Sequence, residues 1–336
     1  MIKVAINGFG RIGRSAFKIA LEKFRDSVEV VAINDLADNK TLAHLLKYDS
    51  NYGVWNHHVS GTDSDIIVDT HRIKALEEKD PSKLPWDALG VDVVIECTGA
   101  FTDKEGASLH LKAGAKRVVI SAPSKGDNPA PTYVLGVNTY DGKAEVINNA
   151  SCTTNCIAPM IKVLHESFGV EKALMTTVHG YTQDQMLQDG PHKDLRRARS
   201  AAENIVPTTT GAAIATTEAI PELQYKFDGI AIRVPVSVGS ISDITALVKK
   251  EVSVIEINQA FKDASQKPEY KGILEVTEDP IVSHDIIGST ASVIVDLGLT
   301  KSVGNLIKVF GWYDNEHGYA YRLIEQVLVV GEYLQK

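Results

Sequence analysis

Lys3-Val4-Ala5-Ile6-Asn7-Gly8-Phe9-Gly10-Arg11-Ile12-Gly13 decides the fold. Lys3–Asn7 is short, apolar and β-branched, the pattern of a buried strand. From Arg11 to Phe24 the positions Ile12, Ala16, Ile19 and Ala20 fall near helical spacing. Between strand and helix, Gly8, Gly10 and Gly13 fit G-x-G-x-x-G, a weak signal alone and a specific one in this context. Gly8 permits the tight turn, Gly10 lets backbone approach a pyrophosphate, and Gly13 lets helix pack on strand. The amides of Arg11 and Ile12 then face the anion at a helix N-terminus. A second strand, Val28–Asn34, ends on Asp35, about 20 residues past the last glycine, where a carboxylate takes both ribose hydroxyls and repels a 2′-phosphate. That favours NAD over NADP.

The alternation continues outward. Lys40–Lys47 reads as a short helix, Ile66–Leu76 as a β-hairpin, and Val91–Cys97, Arg117–Ser121 and Glu145–Asn148 as buried strands, with a helix over Lys104–Ala113. Continuous apolar strands alternating with helices predict a doubly wound parallel sheet covered on both faces. Glu96-Cys97-Thr98-Gly99 and Ser121-Ala122-Pro123 fall at strand ends, the edge where such sheets bind ligands. Past residue 150 the pattern changes. A helix over Ser151–Phe168 is followed by strand candidates Ala173–Val178, Gly229–Val234, Ser240–Val248, Ala291–Asp296 and Leu306–Trp312, which predict a mixed or antiparallel sheet. A polar stretch between Gly180 and Asn204 lacks periodicity, and loops of that length in a compact domain are usually functional. Tyr319–Leu334 has a helical stripe of Ala320, Leu323, Ile324, Val327 and Leu328.

The whole chain agrees with two α/β domains. Its 336 residues suit about two domains and a large core. Lys plus Arg number 35 against 43 Asp plus Glu, a net charge of −8. No global basic field is available to hold a nucleic-acid backbone or an anionic membrane, so phosphorylated ligands need locally concentrated cations. Three cysteines, Cys97, Cys152 and Cys156, do not make a disulfide framework. The start lacks a signal-peptide pattern and no apolar run is long enough to span a membrane, so the expected compartment is a reducing cytoplasm. Two cysteines without a second pair make half a zinc site, and no metal is expected.

The second half supplies chemistry. Cys152 falls in the first turn of its helix, where the helix N-terminus favours a thiolate. Cys156, four residues on, reads as a small core residue. A nucleophilic cysteine needs a base. Of ten histidines, His179 is best placed, at a strand end where Gly180 begins the polar loop, while His110 and His165 sit in helical stretches and are expected to be solvated. Spacing alone does not decide the pairing of Cys152 with His179. His192-Lys193-Asp194-Leu195-Arg196-Arg197-Ala198-Arg199 brings the local cations that the charge balance requires.

INGFGRIGR at the start, ASCTTNC, PHKDLRRAR, NIVPTTTGAA and WYDNE-x-GY together resemble phosphorylating, NAD-dependent glyceraldehyde-3-phosphate dehydrogenase over essentially the whole chain. The resemblance implies an NAD-binding domain over 1–150, to which a C-terminal helix (316–336) returns, and an α+β catalytic domain over 151–315. It implies Cys152 as nucleophile and His179 as base in the oxidation of glyceraldehyde 3-phosphate to 1,3-bisphosphoglycerate through a cysteine thioester. The substrate's phosphate would meet Thr182 and Arg233. Attacking inorganic phosphate would meet Ser151, Thr153, Thr210, Gly211 and Arg197. NAD would meet Gly8, Gly10, Arg11, Ile12, Gly13, Asp35, Lys79, Ser121 and Asn315. A homotetramer and a cytoplasmic glycolytic setting follow, with no primary nucleic-acid role.

Four departures stand out. His317 replaces the usual Trp, Lys79 stands where Arg is common, Gly190 replaces a larger residue beside the adenosine, and Val234–Gly239 differs from the usual segment. Erythrose-4-phosphate dehydrogenase shares the fold, the cysteine and the histidine, but the intact PTTTG argues against it. An aspartate-semialdehyde dehydrogenase does not fit the GFGRIGR start. A catalytically inactive dinucleotide-fold binding protein would be favoured by loss of Cys152 or His179, and both are present.

Overall fold

The computed structural model describes residues 1–334, and the last two positions of the predicted C-terminal helix domain lie outside the described residues. The chain divides into two compact units, Met1–Tyr133 with Tyr140–Ala150 and the stretch from Ala320, and Val134–Thr139 with Ser151–Tyr319. Val134–Thr139 goes with the second unit because Lys162 Nζ donates to Gly136 O and Val137 O, at 3.1 and 3.0 Å.

In the first unit β1 (Ile2–Asn7), β2 (Val28–Asn34), β3 (His71–Leu76), β4 (Val93–Glu96), β5 (Arg117–Ile120) and β6 (Val146–Asn148) form a parallel sheet in the order β6-β5-β4-β1-β2-β3. The hairpin strand Asp65–Val68 and then Val59–Gly61 extend it antiparallel. The strand order reverses at β1, so β1 and β4 flank the crevice where such sheets take ligands. Helix α1 (Arg11–Lys23) buries Ala16, Phe17, Ile19 and Ala20 against this sheet. Ala320, Leu323, Ile324, Val327 and Val330 of the C-terminal helix His317–Glu332 join the same core. Each such aliphatic side chain contributes about 1.5–3 kcal/mol of burial. The helix predicted over Lys104–Ala113 is two short pieces, Lys104–Ala107 and Leu109–Lys112.

In the second unit β7 (Val170–Gly180), β8 (Phe227–Val234), β9 (Ser240–Val248) and β10 (Leu306–Tyr313) are central strands of a mixed sheet, with β7 parallel to β8 and antiparallel to β9. Helix α2 (Cys152–Phe168) lies on its inner face, burying Cys156, Ile157, Met160, Ile161 and Leu164 beside Ile244, Val293 and Val309. A Cβ on Gly311 would stand 2.5 Å from Met160 Sδ, which is why helix and β10 approach only across a glycine. Among the described residues three α-helices escaped the sequence reading: the single turn Trp86–Leu89 in the first unit, and α3 (Ala212–Ala219) and α4 (Val254–Ser265) in the second. No described helix is long and apolar enough to cross a membrane.

Candidate active site

The glycine loop behaves residue by residue as its chemistry demands. Gly8 has φ +91°, and a Cβ there would meet Thr98 N at 2.6 Å. A Cβ on Gly13 would lie 2.2 Å from Gly8 O, so the helix packs directly on the turn. A Cβ on Gly10 would meet nothing within 4 Å, and Gly10 begins α1 with no side chain capping the helix. Bare amides at a helix start, beside open space, suit a pyrophosphate. Asp35 accepts from Phe9 N (2.7 Å) and Ala37 N (3.0 Å), which ties the loop to the end of β2. The Arg11 side chain is bidentate on Asp49, at 2.9 and 3.2 Å, and so is turned to a neighbouring loop. Lys79 is exposed, and Ser121 N donates to Glu96 O at 2.9 Å. These residues fit a dinucleotide.

In the second unit the predicted nucleophile, Cys152, stands at a capped helix start. Ser151 is the N-cap of α2, its hydroxyl accepting from Thr154 N at 3.1 Å, and Cys152 is the first helical residue. Cys152 Sγ lies 3.4 Å from His179 Nε2, the last-but-one residue of β7. His179 is 3% exposed. Its Nδ1 lies 2.6 Å from Gly180 O and also 2.6 Å from Arg233 Nη1, which is 3.2 Å from the same carbonyl. One Nδ1 serves only one of these partners. With Nε2 as acceptor toward the thiol, the proton sits on Nδ1 and is donated to Gly180 O, and Arg233 donates to that carbonyl. Burial, then the Arg233 charge, press the His179 pKa down to about 3, so the ring is a neutral base. Burial raises the Cys152 thiol, while Arg233 and the Thr153 hydroxyl pull it back. Desolvation pushes Cys97 up to about 12 and Cys156 upward too, with no cation opposing it at either. Of the three cysteines, Cys152 alone has a cation, Arg233, opposing its desolvation.

The predicted anion groups separate by geometry. Arg197 Nε donates to Thr208 Oγ1 at 2.8 Å and Nη2 to Thr209 O at 3.1 Å, while Nη1 pairs with Asp184. Its charge reaches His179, as does that of Arg233. Arg199 instead pairs with Asp189 at 2.9 Å on the surface, and Arg196 is exposed. Thr210 Oγ1 accepts from Ala212 N at 3.2 Å, and Gly211 is the exposed N-cap of α3 without a side-chain cap. Thr182 and Gln185 pair through Thr182 N to Gln185 Oε1 (3.3 Å). Thr153 differs from expectation: its hydroxyl is buried against Tyr313 OH (2.9 Å), which also meets Thr177 Oγ1 (2.7 Å). Asn315 Oδ1 accepts from Gly239 N and Ser240 Oγ, both at 3.0 Å, which fixes the amide's orientation.

Sequence reasoning missed Tyr313, Asp184, Asp194 and Thr208, which hold Thr153 and Arg197 in place. Three of them, Asp194, Thr208 and Tyr313, lay inside the quoted motifs PHKDLRRAR, PTTTG and WYDNE. The expectation of a solvated His110 is overturned. It is fully buried, accepting from Trp86 Nε1 at 2.9 Å through Nδ1 and facing Glu96 Oε2 at 3.1 Å through Nε2. The loop between Gly180 and Val206 has no helix or strand, but rungs such as Ala201 N to Met186 O (2.9 Å) and Gly190 N to Ala198 O (2.9 Å) order it.

Two sequence families match the chain. The one described as "Glyceraldehyde 3-phosphate dehydrogenase, NAD binding domain" matches residues 2–104, and its C-terminal domain counterpart matches 151–315. A glyceraldehyde-3-phosphate dehydrogenase of Streptomyces coelicolor is 54% identical over 99% of both chains. That of Borreliella burgdorferi is 54% identical over 96% of this chain and 98% of its own. That of Geobacillus stearothermophilus is 53% identical over 96% of each.

Proposed function

Since the chain belongs to the glyceraldehyde 3-phosphate dehydrogenase family, with NAD as cofactor, we propose how its own residues divide the work of oxidising glyceraldehyde 3-phosphate to 1,3-bisphosphoglycerate. Cys152 is the nucleophile and His179 the general base. The observation that carries this is the 3.4 Å contact between Cys152 Sγ and His179 Nε2 at a helix N-terminus. Bound NAD supplies the hydride acceptor. The residues that would hold it are the glycine loop at Gly8, Gly10, Arg11, Ile12 and Gly13 for the pyrophosphate, Asp35 for a ribose, Lys79 and Ser121 for the adenosine side, and Asn315 for the carboxamide. Sulfur adds to the aldehyde carbon to give a hemithioacetal. Nε2 takes the hydroxyl proton as oxidation leaves a thioester on Cys152. Inorganic phosphate attacks the thioester carbonyl and releases the thiolate. Arg233 and Thr182 hold the substrate phosphate. Arg197, Thr210, Gly211, Ser151 and the backbone of Thr153 hold the attacking one.

Residues 1–150 with the C-terminal helix serve as the NAD-binding domain and 151–315 as the catalytic domain. A homotetramer in the cytoplasm completes the reading. Support for self-association comes from one face of the second sheet, where Leu174 and Leu306, with Ile214 of α3, are 66%, 47% and 63% exposed around a groove of about 1100 Å³. Size-exclusion chromatography with light scattering tests this, and a monomer at micromolar concentration overturns it.

The test of function is NADH formation from glyceraldehyde 3-phosphate and NAD, with and without inorganic phosphate. Turnover should require phosphate (or arsenate) and fall by on the order of 10⁴-fold or more in Cys152→Ser. Activity confined to erythrose 4-phosphate would overturn the substrate, and an inactive wild-type protein that still binds NAD would leave a binding protein.

A further inference from the structure

Beneath the glycine loop, three adjacent parallel strands end in buried polar residues lying directly across from one another. Asn7 is in register with Asn34 on one side and Glu96 on the other. Each is at most 4% exposed. Asn34 Nδ2 donates to Asn7 Oδ1 (2.7 Å), and Asn7 Nδ2 donates to Glu96 Oε2 (2.6 Å). His110 Nε2 faces the same carboxylate oxygen at 3.1 Å, its tautomer set by Trp86. The other oxygen, Oε1, accepts from Thr98 N (2.8 Å) and from the Thr98 hydroxyl. At the far end Asn34 exchanges two hydrogen bonds with the backbone of Glu78, at 2.8 and 2.9 Å. Buried polar side chains disfavour folding unless fully paired, and hydrophobic ones would serve the core better. A network maintained here therefore needs a reason.

The reason lies in what each member adjoins. Asn7 precedes Gly8, Asn34 precedes Asp35, and Glu78 precedes Lys79. Glu96 grips Thr98, whose backbone is what a Cβ on Gly8 would strike. We propose that Glu96, through Asn7 and Asn34, is a positioning residue that fixes the spacing of the glycine loop, the ribose carboxylate and the Thr98 loop, and so sets the affinity for NAD. The inference rests on the NAD reading of this site. Glu96 supplies four acceptor positions to four donors, an arrangement that only a carboxylate satisfies. In Glu96→Gln an amide NH₂ is forced against either Thr98 or the Asn7–His110 pair, which frees one loop to shift.

The experiment measures Kd for NAD by calorimetry, with kcat at saturating NAD and KM for glyceraldehyde 3-phosphate. Glu96→Gln should weaken NAD by about tenfold or more while kcat and the aldehyde KM stay within about twofold. Asn7→Asp combined with Glu96→Gln exchanges donor and acceptor across the same contact, keeps the charge, and should restore most of the affinity. A merely structural role would lower the active fraction in the single variant without changing Kd, and that result overturns the inference. Failure of the double variant to recover affinity overturns it too, as does a Glu96→Gln protein that binds NAD like wild type. A wild-type protein that does not bind NAD overturns the cofactor assignment as well.

Discussion

Two helices of this chain begin just beyond strand ends, and they open in opposite ways. Helix α1 starts on glycines with no side-chain cap and bare amides. Helix α2 starts on Ser151, which caps its own amides, and on Cys152, whose thiol meets His179. The first start works by the absence of side chains and the second by their presence. On the proposed reading the same backbone dipole holds an anion in one place and faces a sulfur nucleophile in the other.

Removing the base should produce the largest effect on this contrast. His179→Asn should lower kcat by roughly 10²–10⁴-fold with NAD binding intact, since the first helix start needs no base. It should also alter acid stability. The unfolded chain protonates this histidine near 6.5, whereas the folded protein resists until about 3. The unfolded state therefore binds more protons across that window, and stability falls as pH drops from 6.5 toward 3. Thermal midpoints of His179→Asn should fall less steeply over that range, and an unchanged slope would contradict the neutral ring.

The glycines come next. Gly13→Ala forces a Cβ to 2.2 Å from Gly8 O and should destabilise by about 1–3 kcal/mol. Gly10→Ala meets no protein atom, so its thermal midpoint should stay near wild type while NAD affinity drops. If Gly10→Ala binds NAD normally, the anion does not rest there. Ser151→Ala should be mildest, losing about 1 kcal/mol of cap energy by denaturant unfolding. A larger loss would mean that Ser151 supports more than its own helix.

What could be read in the chain followed the range of the physics. The parallel sheet and α1 come from local periodicity and three glycines, and both extend as far as neighbouring residues can report. Helix α3 left no trace because its outer face, Ile214, Thr217 and Glu218, starts on an exposed isoleucine while its inner face buries Thr216 among alanines, so hydropathy does not mark which side is inside. Helix α4 did carry a signal, the Ser253–Glu256 capping box, which went unread. The burial of His110 depends on Trp86 and Glu96, distant partners that periodicity does not reveal. Likewise Arg197 is distinguished from Arg196 and Arg199 by Thr208 and Asp184, which fold across the long loop to reach it.

That last contact changes how the phosphate subsite should be pictured. Arg197 already holds a counter-ion, the carboxylate of Asp184. Burial works against that charge, but the hydrogen bond and charge of Arg197 outweigh it and keep Asp184 ionised below the usual range. If Arg197 holds the attacking phosphate as proposed, that phosphate does not fill a vacant socket; it displaces a resident anion, as on an ion-exchange resin. Its affinity is then the difference between two ion pairs, which suits a reactant that must arrive, react and leave in every cycle.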